Sequence, residues 1–180
     1  FTSSAPVHAQ AGGASVDETS ATDPVGFTRE RMLEAGALAR SASTPATVVR
    51  FGGIYGPGRE HLLDLVRQGE AACHQGPPVY TNRIHRDDAA RALRHLMSLT
   101  QAEDLYLAVD DDPAERCAVV RWLADRSDSP PPRMEHAGEG TLLGRRGSKR
   151  CTNWRLRNSG FGFRYPSFRE GYIMVLRGDP

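Results

Sequence analysis

The sequence predicts an α/β fold, a parallel, doubly wound sheet with helices between its strands. Two short runs carry that expectation. Ala46-Thr47-Val48-Val49-Arg50-Phe51 is a short β-branched run and Leu105-Tyr106-Leu107-Ala108-Val109 an apolar one, each the signature of a buried strand. Amphipathic stretches with helix-start and helix-stop residues lie between and around them. Strands alternating with helices need crossover connections, and these make the strands parallel.

Composition agrees with a folded domain. Of 180 residues, 39% are hydrophobic and 25% charged, which is globular rather than disordered usage. Lys plus Arg (23) nearly balances Asp plus Glu (22), so the whole-chain field gives no argument for nucleic acid or membrane partners. No apolar run approaches ~18 residues, and no basic start precedes an apolar core, so neither a membrane span nor a secretory leader is expected. Cys73, Cys117 and Cys151 show no CxxC or Cys/His spacing. They read as reduced thiols of a cytoplasmic protein, without a disulfide frame or a metal site.

In chain order, Phe1 to Ser4 reads as a strand end, and the Gly/Ser/Thr/Asp-rich stretch from Ala11 to Asp23 as a surface loop. A helix is expected from Pro24 to Ala42, with Phe27, Met32, Leu33 and Leu38 as its apolar contacts. Gly52 to Gly58 reads as a glycine-rich turn, and His61 to Gln68 as a helix stopped by Gly69. Asp87 or Asp88 can cap a helix to Met97, and Asp112-Pro113 can open another to about Ala124. Ser127 to Arg133, with three consecutive prolines, is a rigid connector. Glu135 to Gly147 is expected to be mobile. Asn153 suits the start of a short helix, and Pro166 begins the last one, carrying Phe168, Tyr172, Ile173 and Leu176.

From Arg145 to Arg169 the chain carries eight basic residues and no acid. The plain reading is a solvated basic face. The sharper one is a site for a phosphate-bearing ligand or RNA. The Gly52–Gly58 turn is a poor phosphate cradle, because it lacks GxGxxG spacing and Pro57 removes a backbone donor. As the end of a strand, it still marks the sheet edge where ligands collect.

Six blocks, in order, resemble the extended short-chain dehydrogenases/reductases, specifically the NAD-dependent epimerase/dehydratase family. Phe1-Thr2-Ser3-Ser4-Ala5-Pro6-Val7-His8 is similar to the family's strand-end "SSxxVYG", and Arg50 to Arg59 to its "RxxNxYGPGR" block. Asn82-Arg83-Ile84-His85-Arg86-Asp87-Asp88 resembles "IHVDD". Asp110 to Pro113, Lys149 to Asn153 and Tyr165 to Gly171 are similar to later segments. The resemblance implies a partial Rossmann-like sheet over residues 1–58. It implies a small C-terminal α/β substrate-binding region over 59–180, with 82–109 returning to the sheet. A GxxGxxG front of on the order of 100 residues is expected beyond this sequence.

What the resemblance implies for chemistry is specific. Such proteins use NAD or NADP and pair a Ser with Tyr-x-x-x-Lys, the tyrosine passing a proton while hydride moves. Ser4 takes the Ser position. Phe27 and Arg31 best match Tyr and Lys, although aligning Glu34 on the family's following Glu gives Gly26 and Glu30 instead. No Tyr-x-x-x-Lys occurs in any register. Phe has no proton to transfer, and Arg stays protonated, so it can bind but cannot act as a base. Ser3, Arg31, Phe51, Gly52, Gly53 and Ile54 fall on the cofactor side. Tyr55, Arg59, Arg83 and His85 fall on the substrate side, with Arg59 and Arg83 suited to a phosphate or carboxylate. The arginine that grips a nucleotide diphosphate would fall near Thr81, so a sugar or related small hydroxylated or carbonyl substrate is expected. A homodimer through the Phe27 helix is a further implication. The alternative is a non-catalytic NAD(P) sensor or an RNA- or phosphate-ligand-binding protein.

Overall fold

A computed structural model describes residues 1–23, 26–136 and 148–178. Along the chain, β1 (Thr2–Ser4) runs into a 3-10 turn (Ala5–Val7), followed by β2 (Ala14–Val16), α1 (Phe27–Ser41) and β3 (Val48–Phe51). Then come β4 (Gly53–Tyr55), α2 (His61–Arg67), β5 (Ala72–Gln75), β6 (Arg83–His85) and α3 (Arg86–Ser98). β7 (Leu105–Ala108), α4 (Arg116–Arg126), β8 (Arg133–His136), β9 (Lys149–Cys151), α5 (Trp154–Asn158) and α6 (Phe168–Arg177) complete it.

The main sheet has the order β1-β3-β7 and is parallel, with Ser4 beside Phe51 and Phe51 beside Ala108. Three further parallel pairs, β2–β9, β4–β6 and β5–β8, surround it. Side chains alternate across a strand. Val49, Phe51, Tyr106 and Ala108 therefore pack with Ala89, Ala92 and Leu96 of α3 and Leu156 of α5. On the opposite face Leu107 and Val109 meet Ala5, Val16 and Cys151. A second core joins α2, α4 and α6 through Leu63, Val66, Val120, Leu123, Phe168 and Tyr172.

The helix over Pro24–Ala42 shortens to Phe27–Ser41, Pro24 lying outside the described residues. Its orientation also differs from expectation. Phe27 (73% exposed) and Leu38 (71%) face outward, and Gly36 is the buried residue, set against Val48. At about 100° per residue, positions 27 and 38 lie roughly opposite position 36. The apolar residues were visible; the close approach allowed by a glycine decided which face turned inward.

Other differences have local causes. The loop over Ala11–Asp23 contains β2, and the Gly52–Gly58 turn contains β4, both recruited by long-range partners. α3 is capped by His85, whose ring accepts the Asp87 N–H, and neither aspartate caps it. α4 begins after Glu115 because the preceding acids are engaged elsewhere, Asp111 with Arg157 and Asp112 with Arg169. α6 begins after Ser167, in a reciprocal capping box with Glu170. Asn153 precedes α5 without capping it; its amide donates to the carbonyl of Val109 and to Asp111. Of the stretch expected to be mobile, residues 137–147 lie outside the described residues, and Glu135 and His136 belong to β8.

Cys73 and Cys117 form a disulfide, contrary to the expectation of three reduced thiols, and Cys151 remains a buried free thiol. The pair is 44 residues apart, and only the packing of α4 on β5 brings it together. The cysteine pattern therefore no longer argues for a reducing compartment. No described helix is long and apolar enough to cross a membrane.

Candidate functional site

A cleft of about 470 Å³ opens where β1 and β3 end. It is lined by Thr2, Ser3 and Ser4 from β1, by Phe51, Gly52, Ile54 and Arg59 from the segment after β3, and by Ala89, Ala90 and Leu93 of α3. Parallel register places Ser4 directly beside Phe51, so the carboxyl ends of the two strands open on the same side. That edge of a parallel sheet is where ligands are received, because the strand ends leave backbone groups and loops free to face outward. Ser4 precedes the 3-10 turn, and its hydroxyl makes no capping bond. Arg59 is exposed, and its guanidinium has no ion-pair partner among the described residues.

The floor of the cleft is held by backbone contacts. Gly52 donates to the Ala108 carbonyl and Gly53 to that of Asn82. A Cβ on Gly52 would stand 2.9 Å from the Asn82 oxygen and 3.0 Å from Val109. Glycine is needed here by close approach. Asn82 in turn bridges to β9, donating to the Lys149 carbonyl and accepting from the Cys151 N–H.

Ser3, Ser4, Phe51, Gly52, Ile54 and Arg59 are thus brought together on one cleft. The remaining candidates are not. Gly53 lies outside the lining. Phe27 and Arg31 sit on the outer face of α1, where Arg31 pairs with Glu34 at 2.5 Å and stacks over the Phe27 ring. Tyr55 is 4% exposed, stacks on Tyr172 at 4.5 Å and donates to the Ser167 carbonyl. His85 is fully buried against Tyr165. Arg83 is buried too, donating to the Thr81 carbonyl. These three belong to the packing behind the site. A residue pattern cannot distinguish a side chain pointing into a cleft from one pointing into a core.

Several polar residues were not singled out from sequence as buried centres. His8, Arg50 and Lys149 are all buried: Arg50 faces the His8 ring nitrogen at 3.1 Å, and Lys149 donates to the His8 carbonyl. Burial and the two cations lower the His8 imidazole to about 4. Asp110 is 1% exposed, accepts from the Asp112 N–H through one oxygen and has no partner on the other among the described residues. Burial pushes its carboxyl up to about 8 against the opposing effect of Arg83. The acidic run that contains Asp110 concealed it, since three aspartates in a row read as surface.

The signs give a test. A carboxyl raised in the folded state keeps a proton that the unfolded chain releases near 3.8. Stability therefore falls as pH rises from about 4 to about 8 and then levels. His8 acts oppositely, adding stability as pH rises from about 4 to 6.5. Between pH 6.5 and 8 the Asp110 contribution is isolated from that of His8. The unfolding free energy from urea denaturation should decline over that interval, by at most about 1.4 kcal/mol per pH unit, and Asp110→Asn should flatten the decline. An unchanged slope in the variant would assign it to another group.

In the basic stretch Arg150, Arg157, Arg164 and Arg169 are exposed, as a solvated face would have them, but the described cations also make contacts within the fold. Lys149 is buried, Arg150 donates to the Gly13 carbonyl and lies over Tyr80, and Arg155 donates to the Leu105 carbonyl. Arg157 and Arg169 pair with Asp111 and Asp112, and Arg164 lies over Tyr165. Arg145 and Arg146 lie outside the described residues. Arg150, Arg155, Arg157 and Arg169 thus tie separate segments together.

No protein-family profile and no curated protein sequence matches the chain. Solved structures do. One, from Methylobacillus flagellatus and assigned as an NAD-dependent epimerase/dehydratase, is 34% identical, with a TM-score of 0.79 over 99% of this chain and 63% of its own. A conserved protein of unknown function from Silicibacter pomeroyi is 26% identical, with a TM-score of 0.87 over 99% of this chain and 65% of its own. A human epimerase family protein solved with NADPH, at 16% identity and TM-score 0.79 over 98% of this chain and 64% of its own, shows the shared fold. The chain spans less than two thirds of each.

Proposed function

We propose that this chain, which belongs as a C-terminal portion to the NAD-dependent epimerase/dehydratase family, supplies the substrate-facing wall of an NAD(P)-dependent active site. The observation that carries this reading is the convergence of Ser3, Ser4, Phe51, Gly52, Ile54 and Arg59 on one cleft at the carboxyl ends of β1 and β3. The lining fits a nicotinamide group in kind. It offers an apolar wall from Phe51, Ile54 and Leu93, a glycine floor that permits close approach, and hydroxyls at Ser3 and Ser4. When bound, the nicotinamide supplies hydride transfer.

The protein's own part is positioning. The Ser4 hydroxyl donates to a substrate oxygen, and Arg59 at the cleft holds an anionic substituent of the substrate. Phe27 and Arg31, on the outer face of α1, provide no proton relay, and this sequence contains no Tyr-x-x-x-Lys. Proton transfer then falls to solvent or to a substrate group. Thr81, near where the resemblance would put a diphosphate-gripping arginine, spends its hydroxyl on the Ala114 carbonyl. The reading is accordingly a sugar or related small hydroxylated or carbonyl compound without a nucleotide diphosphate.

The test is NAD(P)-coupled turnover of the full-length protein over a panel of sugars, sugar acids and sugar monophosphates. Ser4→Ala should lower kcat/KM by roughly 10²-fold, the scale for losing a donor to a reacting oxygen. Arg59→Ala should raise KM for anionic substrates by roughly 10-fold, as expected for losing a charged hydrogen bond, and leave neutral ones unchanged. Turnover indifferent to both substitutions would refute the assignment.

A further inference from the structure

The turn that brings Arg59 to the cleft is held from outside itself. Gly56 to Arg59 closes through the Arg59 N–H, which donates to the Gly56 carbonyl at 2.8 Å. Pro57 in second place and Gly58 in third, with a φ of +75°, are the residues of a type II turn. Type II differs from type I by a flip of the central peptide, so the Pro57 carbonyl points to opposite sides in the two forms. Here that carbonyl accepts from the Arg86 guanidinium, and the Arg86 Nε donates to the Asp87 carboxylate at 3.2 Å. The turn also rests closely on the start of α3. A Cβ on Gly56, whose φ is +136°, would stand 2.9 Å from the His85 ring Nε2 and 3.1 Å from the Arg86 Cγ.

Neither helix stability nor packing accounts for an arginine at this place. Arg86 is the first residue of α3, where the helix dipole opposes a cation. Its side chain is 41% exposed, so it fills no core. The bond to the turn is what it contributes. We propose that Arg86 is a positioning residue, which holds the Pro57–Gly58 peptide in one orientation and thereby fixes Arg59 at the cleft. This rests on the reading of Arg59 as the group that holds an anionic substituent. An arginine already set in place loses less freedom when the anion arrives, and a small misplacement of a substrate-holding group is costly to turnover. Arg86 itself touches the turn and Asp87, and acts on substrate through Arg59 alone.

The experiment joins amide relaxation dispersion with turnover, both on the full-length protein. Wild type should give flat dispersion profiles at Gly58 and Arg59. Arg86→Ala should give displaced signals or microsecond-to-millisecond exchange at both amides, and Arg86→Lys, which keeps a donor, should lessen the change. In turnover, Arg86→Ala should raise KM for anionic substrates by no more than the roughly 10-fold expected of Arg59→Ala, with kcat and neutral substrates unchanged. In the Arg59→Ala background it should add nothing, since the two act through one contact. Flat profiles with unmoved signals in Arg86→Ala, or a KM effect that persists without Arg59, would overturn the proposal. Should Arg59→Ala leave KM unchanged for every anionic substrate, the substrate reading fails, while the amide profiles still decide whether Arg86 holds the turn.

Discussion

Replacing Asp88 with alanine is expected to remove about 3–5 kcal/mol of stability, the scale for stripping one partner from a buried charged network. Asp88 is fully buried at the start of α3. One carboxylate oxygen accepts from the Arg164 N–H at 3.0 Å and the other from the Tyr165 N–H at 2.8 Å, while Arg91 donates to the first. Deleting the carboxylate leaves the Arg164 and Tyr165 N–H groups without their acceptor, and each unmet buried donor carries its full desolvation penalty; the half-exposed Arg91 keeps its bond to the Gly162 carbonyl. The segment leading into α6 would lose its anchor to α3. Asp88→Asn, which keeps one acceptor oxygen, should fall between wild type and alanine. Urea denaturation with an unchanged m-value is the measurement. A loss below about 1 kcal/mol would mean that backbone relaxation or water replaces the carboxylate.

Gly171→Ala should destabilise the second core by about 2 kcal/mol. A methyl group there would overlap the Tyr55 hydroxyl and stand 2.7 Å from its Cζ. Tyr55 has little room to retreat, because it is 4% exposed and stacked on Tyr172. Alanine gains about 1 kcal/mol over glycine in a helix interior, and overpacking costs about 1–3 kcal/mol, occasionally more. The severity of this overlap places the cost at the upper end. Tyr55→Phe removes the first clashing atom, so the double variant should be more stable than the sum of the two single effects. Strict additivity in that cycle would show that α6 moves as a whole and does not press on Tyr55.

These two residues mark what the sequence could and could not convey. Val48–Phe51 and Leu105–Ala108 were legible as strands because buried strands are rich in β-branched and apolar residues. Ser3, Ser4 and the Phe51 to Arg59 segment could be singled out as a candidate site because their order resembles a known family and because they lie at strand ends. The role of Asp88 was hidden. It reads as a cap, and its acceptors' partners lie 76 and 77 residues away. β2 and β4 were hidden for the same reason, since strands of three residues carry no period of their own. The Cys73–Cys117 bond and the outward turn of Phe27 are likewise products of packing.

The most direct test of the site is a backbone-amide chemical-shift map of the isotopically labelled full-length protein titrated with NAD(H) and NADP(H). A cofactor cleft at the ends of β1 and β3 predicts saturable shifts at Ser3, Ser4, Gly52 and Ile54, with Phe27 and Arg31 little moved. Saturable binding that shifts α1 and leaves those four amides unmoved, or no binding of either nucleotide, would contradict it.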